Sequence, residues 1–165
     1  MHFLRRRPIL LVHPCRALRR PLVDLNRESM TAVPCDRRRV LVVDDEEIIQ
    51  KLFSMVLSWE LPEASVDIAC NGAEALDAFA ANHHGVLLMD LHMPVMDGQS
   101  AFLALEKQCR EQDWEMPRVV FCSGFAPPTE LRKRVAEDDI HCMLSKPVAN
   151  DVLVDAVRQG LSLSV

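Results

Sequence analysis

Asp44 and Asp45 sit side by side in the stretch RVLVVDDEE, residues 39 to 47, where five basic or apolar residues run straight into four carboxylates. Neighbouring carboxylates repel, so a fold that gathers them needs solvent on every side or a cation that makes the crowding favourable. Three further residues, Asp90, Ser123 and Lys146, each end or follow a short apolar run. Three close carboxylates suit a hard divalent cation such as Mg²⁺, which takes one or two carboxylates together with waters and phosphate oxygens. An ammonium and a hydroxyl can then hold the other equatorial oxygens of a phosphoryl group. That is the equipment for phosphoryl transfer to an aspartate. Asp90 is the expected nucleophile, because an aspartate at the end of a central strand is fixed by its sheet and points into the crevice beyond it.

The elements that would position these residues are legible as alternating patterns. RVLVV (39–43), ASVDIAC (64–70), GVLLMD (85–90), RVVFCSG (118–124) and IHCMLS (140–145) are apolar runs of strand length. Between them, apolar residues recur at helical spacing: Ile48, Ile49, Leu52, Phe53, Val56 and Leu57; Ala75, Leu76, Phe79 and Ala80; Phe102, Leu103 and Leu105; Val152, Leu153, Ala156 and Val157. A fourth helix, the least apolar, is expected from about Thr129 to Asp138. Strands apolar on both faces, alternating with helices, predict an α/β fold: a doubly wound five-stranded parallel sheet in a three-layer α/β/α sandwich. With the flavodoxin-like strand order 2-1-3-4-5, the first and third strands are neighbours. Asp44, Asp45 and Asp90 then meet at the carboxyl edge of the sheet, and Ser123 and Lys146 approach from the other side.

Composition bounds the rest. The chain has 165 residues, 49% hydrophobic and 26% charged, as expected of one soluble globular domain, and no apolar run approaches the roughly 18 residues of a membrane span. No membrane association is expected. Residues 1–39 carry ten Arg against Asp24, Glu28 and Asp36, whereas the remainder is acidic. Residues 1–37 are read as a basic, disordered arm, or as sequence upstream of a true start at Met30, and 38–163 as the folded domain. Without interleaved aromatics, the arm gives little ground for DNA binding. Six cysteines, at 15, 35, 70, 109, 122 and 142, form no CxxC pair, which points to free thiols and a cytoplasmic location. Cys122 and Cys142 are expected to pack as small hydrophobes.

From about Arg39 to Leu161 the chain resembles the receiver domains of bacterial two-component response regulators, the CheY-like superfamily. The resemblance rests on VLVVDDEE, LLMDLHMPVMDG, VVFCSG and LSKPV, in that order and at these spacings. It implies that Asp90 is phosphorylated from a phosphohistidine on a histidine kinase or histidine phosphotransfer protein and loses the group slowly by itself. It also implies that Asp45, Asp90 and the backbone carbonyl of His92 bind Mg²⁺ directly, with Asp44 acting through water. Ser123 would turn toward the phosphoryl group, Lys146 would pair with it, and the bond before Pro147 would be cis.

The chain departs from that pattern three residues before the lysine, where Met143 stands in place of the usual Tyr or Phe, and there is no Tyr at all. Ser123 replaces the more usual Thr and keeps the hydroxyl. His92 stands where a side chain can reach an attacking water, although a lone histidine on a loop is usually just solvated, and Phe125 either shields an acyl phosphate or packs on its loop; His83, His84 and His141 have no expected role. Glu46 and Glu47 are read as helix-start residues, Asp97 and Gly98 as cap and turn chemistry. Few residues follow the fifth helix, so no DNA-binding output domain is expected and signalling would run through contact with a downstream protein or through phosphorelay. Two alternatives stand beside this one. A metal-dependent phosphohydrolase with an aspartyl intermediate would usually carry an acidic residue where His92 stands, and a non-phosphorylated docking module would be expected to lack one of the pocket residues.

Overall fold

Val40, Leu41, Val42 and Val43 are all buried, although they alternate between the two faces of one strand. Leu41 and Val43 join Leu87, Met89, Val119 and Phe121 in one core cluster, and Val40 and Val42 join Val86, Leu88 and Val120 in the other. A strand apolar on both sides needs a cover on both sides. The computed structural model of the chain describes residues 32–161 and provides those covers. In chain order the elements are β1 (Asp36–Val43), α1 (Glu47–Glu60), β2 (Ser65–Ala69), α2 (Gly72–Asn82), β3 (His84–Asp90), α3 (Gly98–Gln112), β4 (Arg118–Ser123), α4 (Thr129–Glu137), β5 (Cys142–Ser145) and α5 (Asn150–Arg158). Phe53 and Leu57 of α1 with Leu153 and Val157 of α5 cover one face. Phe79 of α2, Phe102 and Leu105 of α3 and Leu131 of α4 cover the other.

The strands are parallel, in the order β2-β1-β3-β4-β5. The expected doubly wound α/β sheet is therefore the observed one. Its first strand starts upstream of the apolar run, at Asp36, with a register shift against β3 between Asp36 and Val40. Val33 adds an isolated bridge to Trp114. At the other end, β5 begins only at Cys142, because the Ile140 N–H donates to Asp138 Oδ1 (2.9 Å) and turns the chain before the strand. Most of the expected basic arm, the alternative start at Met30 included, lies outside the described residues. Among the described residues, no helix is long and apolar enough to cross a membrane.

Two histidines without an expected role are buried at strand starts, His84 opening β3 and His141 just before β5. His84, fully buried at the start of β3, places Nε2 2.8 Å from Asp67 Oδ2, and the Arg39 guanidinium donates to that same oxygen at 2.8 Å. His141 Nδ1 accepts the Val119 N–H (3.0 Å), and its ring meets Phe102 edge-on. Burial holds both imidazoles below the usual histidine pKa of 6.5, with Asp67 and Asp138 pulling the other way. As the pH falls below 6.5, the unfolded chain takes up protons that the folded chain resists. Stability is therefore whole above that pH and declines beneath it. The urea midpoint is expected to fall between about pH 7 and pH 5, and His84→Gln with His141→Gln to flatten the fall. An equally steep decline in the double variant would contradict this assignment.

Candidate functional site

Each chemical residue sits where a strand releases the chain. Asp44 follows β1, tied to the sheet edge by its N–H to the Ala69 carbonyl (3.2 Å). It is only 2% exposed. Its Oδ1 accepts the Glu46 N–H (2.9 Å), which sets the turn into α1, and the buried Gln50 amide of α1 donates to the Asp44 backbone carbonyl. Asp45, next along, is exposed. Asp90 ends β3 and is buried, and its carboxylate meets those of Asp44 and Asp45 with ligand oxygens all within 4.8 Å of one another. Ser123 ends β4, also buried, and its carbonyl accepts the Lys146 N–H (2.8 Å). That bond ties the start of the loop after β5 to the same edge, and the Lys146–Pro147 peptide that follows is cis.

Lys146 reaches across the edge. Its ammonium donates to Asp44 Oδ2 at 2.7 Å and stands 3.4 Å from Asp90 Oδ1. Burial alone would lower the lysine pKa, but the hydrogen-bonded Asp44 and the nearby Asp90 outweigh it and raise it. Burial raises the pKa of Asp90; Lys146 opposes the shift and Asp44 adds to it. The cluster is therefore an acidic pocket with one cation in it already. Three carboxylates of this kind are hard oxygen donors suited to a divalent ion of the Mg²⁺ type. Cys122, just before Ser123, is pushed up to about 12 mainly by burial and packs as an inert apolar residue.

The loop after Asp90 is tightly specified. A Cβ on Gly98 would lie 2.2 Å from the Asp90 carbonyl oxygen, so only glycine lets α3 start this close beneath the strand end. Asp97 caps that helix by accepting the Ser100 N–H at 2.7 Å. Val95, at φ 68°, is a β-branched residue in the left-handed region, where side chains of its kind are strained. His92 is exposed, with Nδ1 3.5 Å from Ser123 Oγ and its ring edge-on to Phe125 at 5.2 Å. The side chains of Asp44, Asp45, Asp90 and Lys146 thus meet, while Ser123 ends the adjacent strand at the same edge with its hydroxyl oxygen accepting the Phe125 N–H at 3.1 Å and His92 exposed beside it. Sequence reasoning misses Gln50, a polar residue on the inward face of α1, and the strain at Val95. In α1 the structure also turns Ile48 and Leu52 outward and buries Gln50, Phe53 and Leu57 instead.

A two-layer-covered parallel sheet with an acidic cluster and a lysine at its switch point defines a class, and comparison with known proteins gives it a family. Residues 40–158 match the response regulator receiver domain. The chain belongs to that family, whose members are phosphoacceptor signalling domains. It is 32% identical over 123 residues to the autoinducer 1 sensor kinase/phosphatase LuxN of Vibrio campbellii, which covers 67% of this chain and 13% of that protein. To the regulatory protein AtoC of Escherichia coli it is 35% identical over 97 residues, 59% of this chain and 19% of that protein. The chain thus spans a small part of the length of these relatives. Among solved structures, the signal receiver domain of an HD domain-containing protein from Pseudomonas fluorescens Pf-5 is similar with TM-score 0.63 and 26% identity, covering 75% of this chain and 94% of that one. A CheY-like receiver domain protein of Methanospirillum hungatei shares the fold at TM-score 0.60 and 22% identity, covering 74% and 91%.

The Lys146–Asp44 pair carries an energetic prediction. Lys146→Met leaves Asp44 buried beside Asp90 with no counter-charge, and losing one partner of a buried pair costs about 3 kcal/mol or more. Urea unfolding near neutral pH is expected to show a loss of that size. Adding Asp44→Asn, which removes the stranded charge, is expected to restore much of it. A Lys146→Met protein as stable as the wild type would contradict the pairing.

Proposed function

We propose that this chain takes a phosphoryl group onto Asp90 from a phosphohistidine of a partner histidine kinase or histidine phosphotransfer protein, with Mg²⁺, and passes the signal on through protein contact or phosphorelay. The observation that carries this reading is the meeting of the Asp44, Asp45 and Asp90 carboxylates within 4.8 Å beside the Lys146 ammonium. In the transfer, an Asp90 carboxylate oxygen forms the new bond to phosphorus as the bond from phosphorus to the histidine ring nitrogen breaks and the imidazole leaves. Asp44, Asp45, Asp90 and the His92 backbone carbonyl would hold the ion. When bound, it supplies positive charge that offsets the repulsion between the attacking carboxylate and the phosphoryl oxygens. Lys146, already within reach of Asp90, pairs with one phosphoryl oxygen, and Ser123 donates its hydroxyl to another. Residues 38–163 are proposed as the domain that does this.

The outer face of α1 supports a helical phosphodonor. Ile48, Leu52, Met55 and Trp59 are 79%, 44%, 66% and 84% exposed and recur at steps of four, three and four. Such spacing is that of a coiled-coil seam, able to receive the ridge of another helix. The seam begins within one turn of Asp45, so a helix lying along it brings a histidine toward Asp90. A large apolar stripe of this kind, opposite the face that packs on the sheet, marks a contact surface rather than a solvated helix.

Incubation with Mg²⁺ and acetyl phosphate, followed by intact-mass measurement, tests the phosphoacceptor. A gain of one phosphate that Asp90→Asn abolishes is expected. Catalytic turnover of the donor without accumulation would favour a hydrolase, and an unchanged mass would favour a docking module. Trp59→Glu tests the donor face separately. It is expected to slow transfer from a phosphohistidine donor protein roughly tenfold or more, and to leave the rate from acetyl phosphate as it was. Equal slowing of both would remove α1 from donor recognition.

A further inference from the structure

Between the β4–α4 loop, α4 and β5 lies an apolar cleft of about 360 Å³, walled by Leu91, Phe121, Val135 and Met143, with Ser123 and Phe125 at its mouth. An apolar cavity of about 150 Å³ is enough to hold benzene, so an aromatic ring has ample room here. β5 offers none, since its residues facing the cleft are Met143, Leu144 and Ser145. Phe125 stands at the rim with 73% of its surface exposed, an unfavourable place for a large ring when an apolar cleft adjoins it. Two contacts hold it there, and both involve the phosphate side of the site. The Phe125 N–H donates to Ser123 Oγ (3.1 Å), and its ring leans edge-on against His92, whose Nδ1 is 3.5 Å from that same oxygen. Between Ser123 and Phe125, Gly124 has open space where a Cβ would be, so no packing there resists a change of loop direction.

We propose that Phe125 is the switch residue of this chain: when Ser123 turns its hydroxyl to a phosphoryl group on Asp90, Phe125 is released and its ring enters the cleft beside Met143. The inference rests on the phosphoacceptor reading above. One oxygen anchors the loop, and its movement toward Asp90 draws it away from the Phe125 N–H. Burial of the ring then favours the inward position and reshapes the surface formed by α4 and β5. Phe125 acts here as a positioning residue, coupling the site to that surface and touching no reacting atom.

The test is the ¹³C-methionine methyl spectrum of the full chain, with the Met143 resonance assigned by Met143→Leu. It is recorded before and after Mg²⁺ and beryllium fluoride are added, while intact mass after acetyl phosphate treatment reports loading of Asp90 independently. In the wild type, the Met143 methyl is expected to move upfield under the ring current of Phe125. Phe125→Leu is expected to lose that shift while still gaining one phosphate, and Phe125→Tyr to regain it. An unchanged Met143 resonance in a wild-type protein whose Asp90 loads would overturn the switch and leave the phosphoacceptor reading standing. The same shift in Phe125→Leu would place another group in the cleft and overturn it too. Absence of phosphate gain in every variant would sink the phosphoacceptor reading and, with it, the switch.

Discussion

Electrostatic repulsion among Asp44, Asp45 and Asp90 is the constraint on which this structure turns. Their oxygens lie within 4.8 Å of one another, and Asp44 and Asp90 are only 2% and 9% exposed. Such crowding is unfavourable by itself. Here Lys146 offsets it, at 2.7 Å from one carboxylate and 3.4 Å from another. With one ammonium against three carboxylates, the pocket remains short of positive charge. A site of that kind has the hard oxygen donors that suit an added divalent cation.

The sheet makes the crowding possible. Because β1 and β3 are adjacent and parallel, their last residues release the chain at the same edge, and the order β2-β1-β3-β4-β5 places the crevice there. Alternate residues of each strand feed two separate apolar layers, so the strand ends are held from both faces. The rigid strand ends can then carry strained or costly features close by. Gly98 beneath the Asp90 carbonyl and Val95 in the left-handed region are two of these, both in the segment that follows Asp90.

Much of this was legible in the residues. Runs such as RVLVV and GVLLMD read as buried strands because no polar residue interrupts them, and the acidic pair, Asp90, Ser123 and Lys146 fall at their ends. Other features depend on what the chain meets in space. Apolar residues of α1 occur all round the helix, so period alone cannot say that Phe53 and Leu57 face the sheet while Trp59 and Ile48 face outward. Gln50 is inward because the Asp44 carbonyl lies there to accept its amide. His84 acquires its importance from Arg39 on the adjacent β1 and Asp67 on β2 beyond it, contacts that no local pattern announces. Lys146 pairs with Asp44 across a sequence distance of 102 residues, a contact that only the converged strand ends create.

A divalent ion entering this pocket must compete with the lysine ammonium for the same carboxylates, and calorimetric titration with Mg²⁺ measures that competition directly. One ion per chain is predicted for the wild type, and tighter binding in Lys146→Met, where Asp44 and Asp90 no longer share their oxygens with an ammonium. No heat of binding in the wild type, or weaker binding once the lysine is removed, would contradict it.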